Sequence, residues 1–154
     1  MEVITCPQTD DRQDDDLPRI FMAGGISGCP PWQDAFLETV AKVPAVFYNP
    51  RRTDFDSTDP SMTKEQIKWE VEHLDKADAM IFWFPCETLC PITLFELGKY
   101  AQKGKTLFVG CHPDYARKLD VEEQLALMRI DIVVRNNIAM VIQDMTNWIA
   151  RRAS

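Results

Sequence analysis

Two glutamates stand where their surroundings would change their chemistry. In "LFELG" (94–98) Glu96 is the single carboxylate among Leu94, Phe95 and Leu97, just past the apolar run "ADAMIFWF" (77–84) and the loop "PCETLCP" (85–91). A carboxylate in an apolar crevice near a helix N-terminus is partly desolvated yet held ionised by the helix dipole, which is the state a nucleophile needs. In "QIKWEVEHL" (66–74) Glu72 shares a helical face with Lys68 and Lys76 and reads as solvated pairing. Glu70 lies one turn from both Ile67 and Leu74, with Trp69 beside it. A second carboxylate able to hold or deliver a proton is what a retaining glycosyl transfer needs beside its nucleophile. The pattern alone leaves Glu70 between that role and a surface position.

Other polar groups cluster in two loops. "AGGISG" (23–28) is glycine-rich, but it is not G-x-G-x-x-G and carries no phosphate-loop lysine, so a dinucleotide is not expected. Gly24 and Gly25 read as positions where a sugar or base approaches the backbone. "NPRRTDFD" (49–56) offers Asn49, whose amide can both give and accept along a base edge. Its Arg51 and Arg52 either hold a phosphate or pair with Asp54 and Asp56. The five cysteines, an odd number with no secretory signal, read as reduced thiols. Cys86 and Cys90 are too loosely spaced from each other and from His73 and His112 for a zinc site, so no metal is expected. Neither histidine stands in a setting that suits a Ser-His-Asp or Cys-His scheme.

The elements that must position these groups alternate along the chain. "RIFMAGG", "AVFYNP", "DAMIFWFP", "KTLFVGC" and a short "DIVV" read as five strands. Between and after them, "PPWQDAFLETVAKV", "KEQIKWEVEHLDKA", "ITLFELGKYAQKG", "DVEEQLALMRI" and "NNIAMVIQDMTNWIARR" carry helical spacing. Thr63 is the expected N-cap of the second helix, with Gln66 completing a capping box, and Ile67, Val71 and Leu74 form its apolar face. Gly104 is the expected stop of the third. Strands alternating with helices predict an α/β domain, an open parallel sheet of about five strands with helices on both faces. Residues 1–17 are acidic and read as a flexible tail, and residues 18–154 as one domain. In such sheets ligands bind outside the carboxyl ends of the strands, where the strand order reverses. That rule brings "GGISG", "NPRR", "PCETLCP" and Glu96 to one crevice.

Bulk properties narrow the class. The chain has 154 residues, 45% hydrophobic and 27% charged, with a net charge of −7. Those are globular values, and the acidity gives no surface for nucleic acid or an anionic membrane. No apolar run approaches the roughly 20 residues that span a bilayer, and the chain reads as cytoplasmic.

Together "IFMAGGISG", "FYNPRRTDFD", "QIKWEVEHLDKADAMIFWFP" and "ITLFELGKY" resemble the nucleoside 2-deoxyribosyltransferase family, in particular its shorter members, from about Arg19 to His112. The resemblance implies a flavodoxin-like sheet of order 2-1-3-4-5 and no cofactor. It implies a double displacement in which Glu96 attacks C1′ of a 2′-deoxynucleoside, expels the base and passes the sugar to a second base. Glu70 falls at the family's acid position, where longer relatives carry Asp, and would manage the proton on the leaving base. "AGGISG" would line the sugar and Asn49 with Arg51 the base, with Ser27, Asp54 and Trp69 among the substrate-facing residues. Longer members carry another aspartate shortly before the nucleophile; this chain has Cys90, Pro91 and Thr93 there, with Thr93 the substitute. Family sites are completed by an Asn from a neighbouring subunit, which implies a homo-oligomer. Asp131, Asn136 and Asn137 are the candidates in "RIDIVVRNN".

Three functions follow from this reading. The first is deoxyribosyl transfer between nucleobases in salvage, with a deoxynucleoside and a free nucleobase as partners. The second is hydrolysis of a deoxynucleoside 5′-monophosphate, with Ser27 and the two arginines holding the phosphate. The third is a nucleotide-binding module without turnover. Purine or pyrimidine preference rests on the loop around residues 49 to 60.

Overall fold

The computed structural model describes residues 1–12 and 17–152. Its elements run β1 (Glu2–Thr5), β2 (Arg19–Gly24), α1 (Trp32–Thr39), β3 (Val46–Asn49), α2 (Pro60–Lys76), β4 (Ala79–Phe84), α3 (Pro91–Gln102), β5 (Thr106–Cys111), α4 (Lys118–Met128) and α5 (Ile138–Arg152). The five strands form one open sheet in the order β1-β3-β2-β4-β5, and every pairing is parallel.

The central strands explain why the sheet is covered on both sides. All six residues of β4 are buried, a continuous apolar run of the kind parallel strands need. Alternate side chains feed two cores. Phe21, Ala23, Met80, Phe82 and Phe84 meet Trp69, Leu97, Tyr100 and Leu125 of α2, α3 and α4. Ile20, Met22, Ile81 and Trp83 meet Phe36 of α1 and Val141, Met145 and Ile149 of α5. Each such large side chain contributes about 1.5–3 kcal/mol on burial. Met145 is therefore core and Trp148 packs against it, which leaves Met140 alone of these three exposed.

Two expectations about the strands shift. The fifth strand comes from "EVIT", beside β3, although residues 1–17 read as a tail. Only Ile4 of its four residues is buried, too little for a period of two to register in the sequence. Residues 13–16 lie outside the described residues. "DIVV", expected as the last strand, forms none; the residue after it, Arg135, makes a single parallel bridge with Gly110.

The second helix begins a turn before Thr63. Asp59 is its cap, accepting from the backbone N–H groups of Ser61 and Met62, and Pro60 opens it. Thr63 lies inside, donating its hydroxyl to the Asp59 carbonyl. The buried face of α2 is Gln66, Trp69, His73 and Leu74, whereas Ile67 is 54% and Val71 40% exposed. Aromatic packing decides the rotation of the helix: Trp69 stacks on His73 at 4.0 Å, and Tyr48 meets His73 edge-on at 4.7 Å. Gly104 follows α3 with φ +70°, the left-handed stop expected of it.

Candidate active site

A crevice of about 330 Å³ opens where the strand order reverses, at the carboxyl ends of β2, β3 and β4. Its walls carry Ala23 to Ser27 at the end of β2 and in the loop after it, Pro50, Arg52 and Phe55 after β3, Gln66 and Glu70 on α2, and Thr88, Cys90 to Thr93 and Glu96 around the start of α3. That volume is at the lower end of small-molecule sites, the size class of a nucleoside.

Glu96 and Glu70 reach this crevice from different helices. Cys90, in left-handed conformation at φ 48°, turns the chain into α3, and Pro91 opens the helix. Glu96 is in the second turn, beyond the first turn where the dipole acts. The expectation that the dipole holds it ionised is corrected on that ground. Burial, then the charge of Glu70, push its carboxyl up to about 8, against the opposing charge of Lys99. Burial also raises Glu70, opposed by a hydrogen bond from Gln66. The crevice thus holds two desolvated carboxyls, and the charge of Glu70 opposes ionisation of Glu96. An acid and a conjugate carboxylate side by side can together perform nucleophilic attack and proton transfer.

The structure brings six of the expected site residues to the crevice: Glu96, Glu70, Gly24, Gly25, Ser27 and Thr93. Thr93 is buried and Ser27 exposed at the tip of its loop. The glycines are explained by the protein around them. A Cβ on Gly24 would stand 2.6 Å from Trp32 and from the Trp83 carbonyl, and one on Gly25 2.6 Å from Pro85. Their lack of a side chain lets the loop close onto α1 and β4.

Asn49, Arg51, Asp54 and Trp69 do not line the crevice. Asn49 is buried, its side-chain oxygen accepting from the Arg51 backbone N–H at 3.0 Å. Arg51 faces the glycine loop, donating to the Ile26 carbonyl at 2.8 Å and to the Gln33 side-chain oxygen at 2.9 Å. Asp54 is exposed and binds Arg52 at 2.7 Å. Trp69 is core, its indole N–H donating to the Gln8 carbonyl at 2.6 Å. Of the candidates for a neighbouring site, Asp131 pairs with Arg129 at 2.7 Å and Asn137 accepts from the Met140 backbone N–H at 2.9 Å. Asn136 is exposed.

Gln66 and Phe55 are crevice residues that the sequence reading did not select. The signal for Gln66 was its place four residues before Glu70, on the same helical face.

Residues 17–115 match the model of a family described as nucleoside 2-deoxyribosyltransferase like, a span that includes every residue lining the crevice. No curated protein matches the chain.

Proposed function

The chain belongs to the nucleoside 2-deoxyribosyltransferase-like family, and from that membership we propose that it moves a 2-deoxyribosyl group between nucleobases, in cytosolic salvage. The observation that carries this reading is the pair of desolvated carboxyls on one crevice of nucleoside size. With one proton between them, the reactive arrangement has Glu96 ionised and Glu70 protonated. A Glu96 oxygen bonds to C1′ as the C1′–N bond breaks, and its electron pair goes to the base nitrogen, which takes the Glu70 proton. The acceptor base then attacks C1′, the Glu96–C1′ bond breaks, and Glu70 accepts the proton that the incoming nitrogen loses. The oxocarbenium-like transition state favours an anionic carboxylate at this position.

Charge supports a nucleoside over a monophosphate. The one cation lining the crevice among the described residues is Arg52, already bound by Asp54 and by Glu65, each at 2.7 Å. A phosphate would meet two carboxyls and a neutralised guanidinium.

The protein acts as a homo-oligomer in this reading. Ile67, Val71, Ile92 and Phe95 are exposed apolar residues on α2 and α3, the helices that carry Glu70 and Glu96. Asn136, whose side chain makes no hydrogen bond among the described residues, is the candidate to reach a neighbouring crevice. The deciding experiment is base exchange with thymidine or deoxyinosine as donor and adenine as acceptor. Deoxyadenosine formed only when adenine is present establishes transfer. Free base released equally fast without acceptor would make the protein a hydrolase instead.

A further inference from the structure

Gln66 is the crevice residue with the least ordinary hydrogen bonding. It is 8% exposed. Its side-chain nitrogen donates to the Pro50 carbonyl at 2.9 Å and to Glu70 Oε1 at 2.8 Å, so both of its hydrogens are used. Its side-chain oxygen is buried and has no partner among the described residues. Leaving a buried acceptor unpaired is costly, so the alternative amide orientation would be expected to win if it were available. It is not. Turning the amide over would put that oxygen against two other acceptors, the Pro50 carbonyl and Glu70 Oε1. The amide is locked by its two contacts at the expense of its own oxygen.

The lock has a consequence for the proton. In a protonated carboxyl, the oxygen that accepts an N–H is the carbonyl oxygen, because the hydroxyl oxygen is the poorer acceptor. Gln66 occupies Oε1 of Glu70, which leaves Oε2 to carry the hydrogen. The other contact ties the same amide to Pro50, in the loop that also brings Phe55 to the crevice. Resting on the transferase reading, we propose that Gln66 is a positioning residue for the acid: it fixes Glu70 by one oxygen, directs the transferable proton to the other, and sets both relative to the loop after β3.

Three further titratable or charged groups stand by Glu70, and a fourth acts on its partner Glu96. Glu96 comes from α3, Arg52 from the loop after β3 and Cys6 from the segment after β1, while Lys99 of α3 acts on Glu96. Gln66 is the neutral member of this set and the one that hydrogen-bonds the Glu70 side chain. A merely structural Gln66 would hold Pro50 and leave the titration of Glu70 unchanged.

The test is Gln66→Met, which keeps the volume and removes both donors and the orphaned acceptor. The Glu70 carboxyl is followed by carbon-13 NMR across pH, with its signal assigned from Glu70→Gln. Its midpoint moves upward in Gln66→Met, because a donated hydrogen bond favours the ionised form. In base exchange, kcat for bases that need protonation to leave falls about tenfold with KM little changed, and Gln66→Met adds no further loss in a Glu70→Gln background. An unmoved Glu70 titration, or a loss that adds in full to that of Glu70→Gln, overturns the proposal. If the parent protein exchanges no bases, the transferase reading fails, and the titration still decides the role of Gln66. Should Gln66→Met not fold, Gln66→Asn, one methylene too short to make both contacts, is titrated in the same way. Failure of both to fold assigns Gln66 to structure and overturns the proposal.

Discussion

The carboxyl of Glu70 on α2 raises the proton affinity of Glu96 on α3, after burial the second cause of its displacement to about 8. Glu96 therefore holds a proton that is lost near pH 8. In the proposed reactive arrangement that proton stands on Glu70, so its loss leaves the departing base without an acid. We expect kcat/KM for base exchange to fall with a basic limb near pH 8 for bases that depart poorly, read from a rate profile between pH 5 and 9. In Glu70→Gln the repulsion on Glu96 is gone, its carboxyl ionises more readily, and the basic limb disappears. A flat parental profile over the range would contradict the shared proton.

Glu96→Gln separates activity from stability. The amide is nearly isosteric and cannot form the glycosyl ester, so transfer falls by about a thousandfold or more; retention of more than a tenth of the rate would remove Glu96 as nucleophile. The same change stabilises. The folded protein binds the Glu96 proton more tightly than the unfolded chain, with its carboxyl at about 8 against an ordinary 4.5. Its contribution to stability is complete below pH 4.5 and is lost as pH rises toward 8. An amide escapes that loss. Thermal unfolding at pH 8 is expected to show Glu96→Gln more stable than the parent by about 1–3 kcal/mol, and the difference to vanish near pH 4.

The two carboxylates were legible because a single charge in an apolar setting is visible in one dimension. "LFELG" shows Glu96 inside an apolar stretch, and its helix follows the most apolar strand. Placing the loop residues requires side-chain directions that spacing does not encode. Asn49 closes β3 and accepts from the Arg51 backbone, and the Arg51 side chain turns to the glycine loop, while Pro50 and Arg52 between and beyond them face the crevice. On α2 the apolar letters misled, because Trp69 and His73 set the helix rotation and turned Ile67 and Val71 outward. Gln66 was read through a capping pattern that belongs one turn earlier, at Asp59.

Arg52 offers a way to change the substrate. Asp54 and Glu65 neutralise it, so deoxynucleosides are expected to react with a KM at least about tenfold below that of their 5′-monophosphates. Replacing both partners, as Asp54→Asn with Glu65→Gln, frees the guanidinium without altering Glu70 or Glu96. The monophosphate KM then falls toward that of the nucleoside. Comparison of the two donors in parent and double variant checks this, and a monophosphate preference in the parent would favour the hydrolase reading.

The apolar surface on α2 and α3 gives a prediction about assembly. Phe95 is 71% exposed, next in sequence to Glu96 and on the same helix as the exposed Ile92. A charge at that position costs little in a monomer and much in an interface. Phe95→Asp is expected to reduce the mass seen by light scattering to that of one chain, with circular dichroism unchanged and base exchange strongly reduced. A parent that already runs as one chain would instead leave these residues exposed in the working protein.

Asp10 braces the helix that carries Glu70, and it lies outside the span matched by the family. Its side chain is fully buried and gathers Arg12 at 2.8 Å, Arg19 at 3.0 Å, Lys76 of α2 at 3.5 Å and the hydroxyl of Tyr48, which donates to it. Burial alone would raise its carboxyl, but hydrogen bonds from Arg12, Tyr48 and Arg19 outweigh that and hold it well below the usual carboxylate range. Removing one partner of such a cluster leaves cations facing no counter-charge. Asp10→Asn is therefore expected to cost about 3 kcal/mol, or roughly 10 °C in Tm at pH 7. Because the folded carboxyl is the stronger acid, its contribution is present above the ordinary aspartate range and is lost as pH falls through and below about 4. Thermal melts of parent and variant should converge as the solution is acidified. A deficit that persists unchanged at pH 3 would show that Asp10 acts through its shape and hydrogen bonds, with no contribution from its charge.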